Sequence, residues 1–144
     1  MAATLKQFQQ DVCDGIVARF GNVRALYAQL SASAPARLHE ARRNDAAVVL
    51  QAPTGAGKTL IAVEAMREAS RSEPILWFWF APFTGLVEQS RKVIASQAPE
   101  LSLFDLQADR PEAARDHATF AVAAAGTDIA PMITLVDTHL PRAE

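Results

Sequence analysis

The chain has a single cysteine, Cys13, in 144 residues. One thiol closes no internal disulfide, so a fold stapled by cross-links is excluded and a reducing compartment is the simpler setting. Long apolar runs are also missing. None approaches the ~20 residues needed to cross a bilayer, and the opening Met-Ala-Ala-Thr-Leu-Lys-Gln lacks the apolar core of a signal peptide. A cytoplasmic protein with no membrane partner is the expectation. An excess of one charge sign is missing too: the formal net charge is −2, which argues neither for nor against nucleic acid, because a basic stripe can sit on an acidic molecule. His39, His117 and His139 are scattered without ligand spacing, which speaks against a metal cluster. There is no internal repeat and no low-complexity tract. What is present is 50% hydrophobic residues, enough for a packed core in a chain with room for one domain.

The most informative stretch is Ala46 to Thr59. Ala46 to Leu50 is a short apolar run that reads as a buried parallel strand. It leads into Ala52-Pro53-Thr54-Gly55-Ala56-Gly57-Lys58-Thr59 and then into a helical pattern, the strand–loop–helix setting of a phosphate-binding P-loop (Walker A). The chemistry uses each part. Gly55 and Gly57 let the backbone curl so that successive N–H groups face phosphate oxygens. A helix opening near Lys58 adds its positive N-terminal dipole. Lys58 can reach the β- and γ-phosphates, and the Thr59 hydroxyl can ligate Mg²⁺. A nucleoside triphosphate with Mg²⁺ is the expected ligand, held by Thr54, Gly55, Ala56, Gly57, Lys58 and Thr59. The bland alternative is a glycine turn joining strand to helix, with Lys58 solvated. One departure from the general motif is Ala52 in place of the first glycine.

Leu5, Phe8, Val12, Ile16 and Phe20 follow helical spacing with Thr4 as a cap; Gly21 interrupts, and Val23, Leu26 and Leu30 suggest a second helical piece. Ser31 to Pro35 reads as loop, and Arg37 to Asp45 as charged and exposed. After the P-loop, Leu60, Ile61, Val63, Met66 and Ala69 form one helical face, ended by Ser72-Glu73-Pro74. Ile75 to Ala81, the most hydrophobic segment, reads as a central strand buried on both faces, with Trp77 and Trp79 in the core rather than stacking on bases. Pro82 ends it; Leu86, Val87, Val93 and Ile94 give the next helix. Leu101 to Leu106 reads as a strand, Pro111 to Ala125 as an alanine-rich helix, and Met132 to Val136 as a final strand. This alternation points to an α/β fold with a parallel sheet covered by helices.

Three segments together resemble the first RecA-like domain of superfamily 2 helicases and translocases, closest to the DEAD/DEAH-type ATPase domain of type III restriction-enzyme subunits. Leu5-Lys6-Gln7-Phe8-Gln9 is similar to the family's N-terminal glutamine motif, which recognises adenine; Gln9 takes that role, with Gln10 as the alternative register. Ala52 to Thr59 has the helicase form of the P-loop, alanine first position included. Ala81-Pro82-Phe83-Thr84-Gly85-Leu86-Val87-Glu88-Gln89 looks like motif Ia, which touches the nucleic-acid backbone. The resemblance covers about residues 1 to 110. It implies a P-loop NTPase fold of RecA-like type, a three-layer α/β/α arrangement with a mainly parallel sheet, here as an incomplete first helicase domain. It divides the chain into an N-terminal helical segment with linker, residues 1–45, and a partial ATPase domain, residues 46–144. ATP and Mg²⁺ are the implied cofactors. DNA is the implied partner, bound weakly and without sequence preference through Pro82, Thr84 and Gly85.

The sequence departs from the family in two ways. The stretch between Gln9 and Lys58 is longer than in compact members, so the segment around 21 to 45 reads as an insertion. No Asp-Glu-x-His or Asp-Glu-Ala-Asp occurs; the one candidate is Met132 to His139, an apolar run ending in Asp137 and Thr138. Asp137 would be the metal aspartate of a degenerate Walker B, Thr138 the nucleic-acid threonine of motif Ib, or the segment a plain strand end. The motif-Ib reading is favoured; on it the chain would bind ATP but not turn it over efficiently alone, with a second RecA-like domain or partner subunit expected elsewhere. Two other readings remain: a self-contained small P-loop NTPase or kinase, for which Arg110, Arg115 and Arg142 are available as phosphate clamps without a pattern, and a non-catalytic nucleotide-binding module.

Overall fold

The computed structural model describes residues 3–45, 47–72, 75–105 and 119–124. The chain falls into two compact units, Thr4–Ala65 and Met66–Glu144 together with Met1–Ala3. Residues 52–59 fall in the same unit as the N-terminal helix.

In the first unit, α1 (Gln7–Ser33) is one continuous 27-residue helix. Gly21, expected to interrupt it, does not. A glycine inside a helix costs only about 1 kcal/mol against alanine, and the flanking apolar spacing outweighs that. The helix ends at Ala34, whose N–H donates to Leu30 O at 2.8 Å. Pro35 then opens α2 (Pro35–Asp45), since a proline without an N–H suits the first helical position. The loop expected at Ser31 to Pro35 is thus a one-residue break, and the charged stretch 37–45 is helical. Arg42 and Arg43 lie in its last turn, where cations favour the carbonyl end of the helix. The Arg42 guanidinium sits 5.9 Å from the Tyr27 ring centroid, close enough for cation–π attraction. Arg19, in the middle of α1, reaches Asp45 at the end of α2 at 3.5 Å.

Leu50 is half-buried, but Val48 and Val49 are exposed and residues 47–50 form no strand. This corrects the strand expected at Ala46 to Leu50, of which Ala46 lies outside the described residues. A β-branched apolar run signals that a segment can pair; the ladder itself needs a neighbour, and these residues have none among the described strands. The segment leads into the P-loop and then into α3 (Lys58–Ala69). Ile61 and Ala65 of α3 pack with Cys13 of α1 in a cluster of nearly fully buried side chains, flanked by Leu5, Val12, Ile16, Val17 and Leu50. Burying a side chain the size of Ile61 contributes roughly 1.5–3 kcal/mol. This cluster holds α3 against α1.

In the second unit, β1 (Leu76–Ala81), β2 (Ser102–Asp105) and β3 (Thr119–Ala124) form a parallel sheet in the order β1-β3-β2. Leu76 pairs with Thr119 and Ala81 with Ala124, while Ser102 pairs with Thr119 on the other side. Two expectations change. Residues 119–124, read as part of an alanine-rich helix from Pro111 to Ala125, are the middle strand; 111–118 and 125 lie outside the described residues. Alanine favours helix only weakly, and Thr119-Phe120-Ala121-Val122 supplies the β-formers that a two-sided strand uses. Conversely β1, read as central, is an edge strand among the described residues. Trp77 and Trp79 are half-buried and Phe80 is exposed, so neither tryptophan is in a closed core. The Trp77 indole N–H donates to Ser70 Oγ at 2.8 Å. Phe78 and Phe80, two apart on one face, stack with centroids 6.5 Å apart.

The helix α4 (Thr84–Gln97) crosses the sheet and touches all three strands. Its buried residues Val87, Ser90, Ile94 and Gln97 fall at steps of three and four, the spacing of a single face. The strand expected at Met132 to Val136 lies outside the described residues. None of the described helices is long and apolar enough to cross a membrane.

Arg67 of α3 donates from Nε to Glu100 Oε1 at 2.6 Å, and Arg71 meets Glu68 at 2.9 Å. Partial burial pushes the Glu100 carboxyl up, but its own backbone N–H and the Arg67 guanidinium outweigh this and hold it below the usual carboxylate range. A carboxyl depressed in the folded chain stabilises above its unfolded range, and that stabilisation is lost as pH falls through the folded value. Glu100→Gln should therefore lower unfolding free energy at pH 7 by roughly 0.2–1 kcal/mol, the scale of a half-exposed pair. Urea titrations at descending pH should bring variant and wild type together, and a gap that stays constant to below pH 3 would show the pair contributes nothing.

Candidate functional site

Gly55 and Gly57 have φ of +83° and +82°, and no other described residue has positive φ. Side chains with a Cβ adopt this region at a cost of about 1–2 kcal/mol. Between them the Ala56 N–H donates to Pro53 O at 3.2 Å, closing a turn. The Ile61 N–H donates to Gly57 O at 2.9 Å, the first rung of α3. The amides of Lys58, Thr59 and Leu60 precede that ladder and have no partner within the helix. The first turn of α3 carries no acidic residue that would compete for its positive end.

Lys58 is exposed, and its Nζ folds back over the loop, donating to Ala52 O at 2.7 Å and Pro53 O at 2.9 Å. Both acceptors are neutral carbonyls, and phosphate oxygens make stronger, charge-assisted bonds to an ammonium. The arrangement thus holds a cation beside the helix start, ready to exchange partners. The half-buried Thr59 supplies a hydroxyl next to it. No cluster of three or more His, Cys, Asp or Glu suited to a metal exists among the described residues. A single hydroxyl beside the loop fits a Mg²⁺ that takes most of its oxygens from phosphate and water. Two left-handed glycines, the α3 start and Lys58 fit a triphosphate in the same way. Thr54 and Gly55 are exposed and Ala56 and Gly57 half-buried.

The structure brings Gln9 onto this loop. Lys6, before α1, is extended at φ −72° and ψ 158°, and its N–H donates to Gln9 Oε1 at 2.9 Å. That is one half of a capping box, a glutamine at the third helical position covering the amide before the helix. The Gln9 Nε2 donates to Ala56 O at 2.9 Å, across 47 residues of sequence. A Cβ on Gly57 would lie 2.6 Å from that nitrogen. Gln9 is only 7% exposed, whereas Gln10 is exposed and donates to Asp14 Oδ1 at 2.8 Å. Phe8, its neighbour in the motif, is half exposed.

The motif-Ia residues belong to the other unit and form their own feature. Chain direction changes at Pro82 after β1, and Phe83 caps α4 through its carbonyl, which accepts from Leu86 N–H at 3.0 Å and Val87 N–H at 3.1 Å. Pro82, Thr84 and Gly85 are exposed, and the amides of the first turn have no helix partner. Lys92 is exposed and Arg91 half-buried further along the helix. Asp137 and Thr138 lie outside the described residues, as do Arg110, Arg115 and Arg142.

The sequence did not disclose the carbonyls of Ala52 and Pro53 as Lys58 acceptors, the Ala56 carbonyl as the Gln9 acceptor, or the Lys6 amide. All are backbone groups, and backbone groups leave no residue-type signal. For Lys6 the usual cue was absent as well, because lysine is not a capping residue type.

Residues 3–122 match the family model described as type III restriction enzyme, res subunit. No curated protein and no solved structure matches the chain. With a match over most of its length, the chain belongs to the res-subunit family of type III restriction enzymes and carries a helicase-type ATPase region of the P-loop NTPase class.

Proposed function

We propose that residues 52–59 bind the triphosphate of Mg-ATP and that the chain is the N-terminal part of an ATP-dependent DNA translocase of the restriction-enzyme type. One observation carries the reading. The loop turns twice through left-handed glycines into a helix whose first residue is the lysine folded over it. Backbone amides and Lys58 would take the phosphate oxygens, and Thr59 the Mg²⁺. Residues 46–144 would supply part of a RecA-like α/β/α domain. The three parallel strands with α4 across them are compatible with that architecture. Asp137 would hold the metal in a degenerate Walker B, or Thr138 would contact nucleic acid as motif Ib.

Lys58→Ala tests the phosphate site. Bonds to a charged group contribute roughly 1.5–3 kcal/mol, so calorimetry with Mg-ATP should show affinity reduced at least about tenfold. Equal affinity in both proteins would sink the assignment.

For DNA, contacts would come from Pro82, Thr84, Gly85 and the adjoining backbone, with Lys92 as the exposed cation nearby in sequence. Contacts of this kind position the phosphate backbone and carry little sequence information. Binding followed by fluorescence anisotropy should be weak, should fall as salt rises, and should be equal for duplexes of unrelated sequence. A strong preference for one duplex in competition would contradict the motif-Ia reading.

A further inference from the structure

Charge is spread unevenly along the chain. Residues 19–45 hold five arginines against Glu40 and Asp45, a net +3, whereas the rest of the chain has nine cationic side chains against fourteen acidic ones. Every cation in this stretch is arginine, whose planar guanidinium fork matches phosphate oxygens two at a time. The stretch folds as the second half of α1 followed by α2, packed along a seam where Leu30 and Ala41 are buried.

That seam sorts the charges. Arg37, Glu40 and Asp45 line one pocket together with Leu26, Leu30, Ala41 and Asn44, and Asp45 also pairs with Arg19. Cation and carboxylate offset each other on that side. At 100° per residue, the arc of α2 left outside the pocket carries His39, Arg42 and Arg43 and no acidic residue. All three are exposed. Neither Arg42 nor Arg43 has a carboxylate within salt-bridge reach among the described residues. The Arg42 guanidinium is instead held over the Tyr27 ring of α1 at 5.9 Å.

We infer that this arc of α2 is a contact surface for the phosphate backbone of duplex DNA, with Arg42 and Arg43 as its anchors. The inference rests on the DNA-translocase reading given above and adds a contact in the first unit, apart from the motif-Ia residues of the second. Two guanidinium groups without carboxylates create a local positive potential on an otherwise acidic chain, and an anion relieves it. Duplex DNA offers a charge about every 1.7 Å along its axis. Neighbouring arginines therefore both meet phosphates whatever the base sequence, whereas a protein segment seldom holds carboxylates that densely. Stacking on Tyr27 restricts Arg42 beforehand, which lowers the ordering cost of binding.

The test follows binding of the whole chain to a labelled duplex by fluorescence anisotropy over a range of salt. Arg42→Gln and Arg43→Gln should each weaken binding about fivefold to tenfold, equally for duplexes of unrelated sequence. The double variant should flatten the slope of log affinity against log salt by about 1.8, the counterions released by two phosphates. Arg37→Gln, whose charge shares its pocket with two carboxylates, should change affinity less than about twofold. Poly-glutamate should compete poorly with the duplex. Urea midpoints identify a variant that fails to fold, and Arg43→Gln is read alone if Arg42→Gln does. Three results would overturn the inference. The double variant could keep both affinity and salt slope while its urea midpoint falls, which leaves the arginines as partners of the helix carbonyl end only. Arg37→Gln could lose as much as the other two, which makes the effect one of overall charge. Poly-glutamate could bind as tightly as the duplex and lose as much in the variants, which makes the arc a seat for acidic protein segments. Failure of the wider reading looks different. If motif Ia makes no contact, Lys92→Gln is silent while the α2 variants still lose; if the chain is no DNA-binding protein, folded wild type binds no duplex even at low salt.

Discussion

Much of the first unit follows from the left-handed backbone at Gly55 and Gly57. Without those two reversals the chain leaving Leu50 could not turn within a few residues into α3. The position of α3 in turn sets which of its residues face α1. Ile61 and Ala65 reach Cys13 because the helix starts at Lys58, and a start displaced by one residue would rotate that face by about 100°. The same reversals bring Ala52 and Pro53 carbonyls within reach of the Lys58 ammonium. Loop conformation, core packing and charge placement are therefore one constraint seen at three scales.

A glycine-rich loop has the largest conformational freedom of any sequence to lose, so something must restrain it. In this chain the restraint comes from both sides. Below, the apolar cluster fixes the rungs of α3. Above, a buried amide and a folded-back lysine each bind loop carbonyls. The lysine can leave, since it is exposed and its partners are neutral. The glutamine is buried and less free to do so. The loop is thus held by one exposed side chain and one buried one.

Several parts of this were legible in the residues. The glycine turn at residues 55–57 was, because a left-handed backbone favours that residue type, and so were α3, β1, α4 and β2, from their apolar patterns. Gln9 could be placed in a motif, but its burial and the register against Gln10 depended on the distant Ala56 carbonyl. The strand at 119–124 was not legible, since an alanine-rich run fits a helix as well as a strand and only pairing with β1 and β2 decides. The run before residue 52 failed in the opposite sense: Val48 and Val49 have strand character and no partner among the described strands. Gly21 shows a third kind of miss, a local penalty too small to overcome a 27-residue helix. In each case the sequence reported a propensity and the tertiary neighbours chose the state.

The single thiol of the chain sits on α1 against Ile61 and Ala65 and is 1% exposed. A thiol-specific reagent cannot approach Cys13 until α1 and α3 part, and no second cysteine blurs the signal. Modification rate then measures how often the α1–α3 seam opens, residue-specifically and without any engineered label. Local opening that spares the rest of a fold has a lower free energy than global unfolding, so such a rate reports the mobility of this one seam. The chain carries its own chemical clock for the element that shapes its loop.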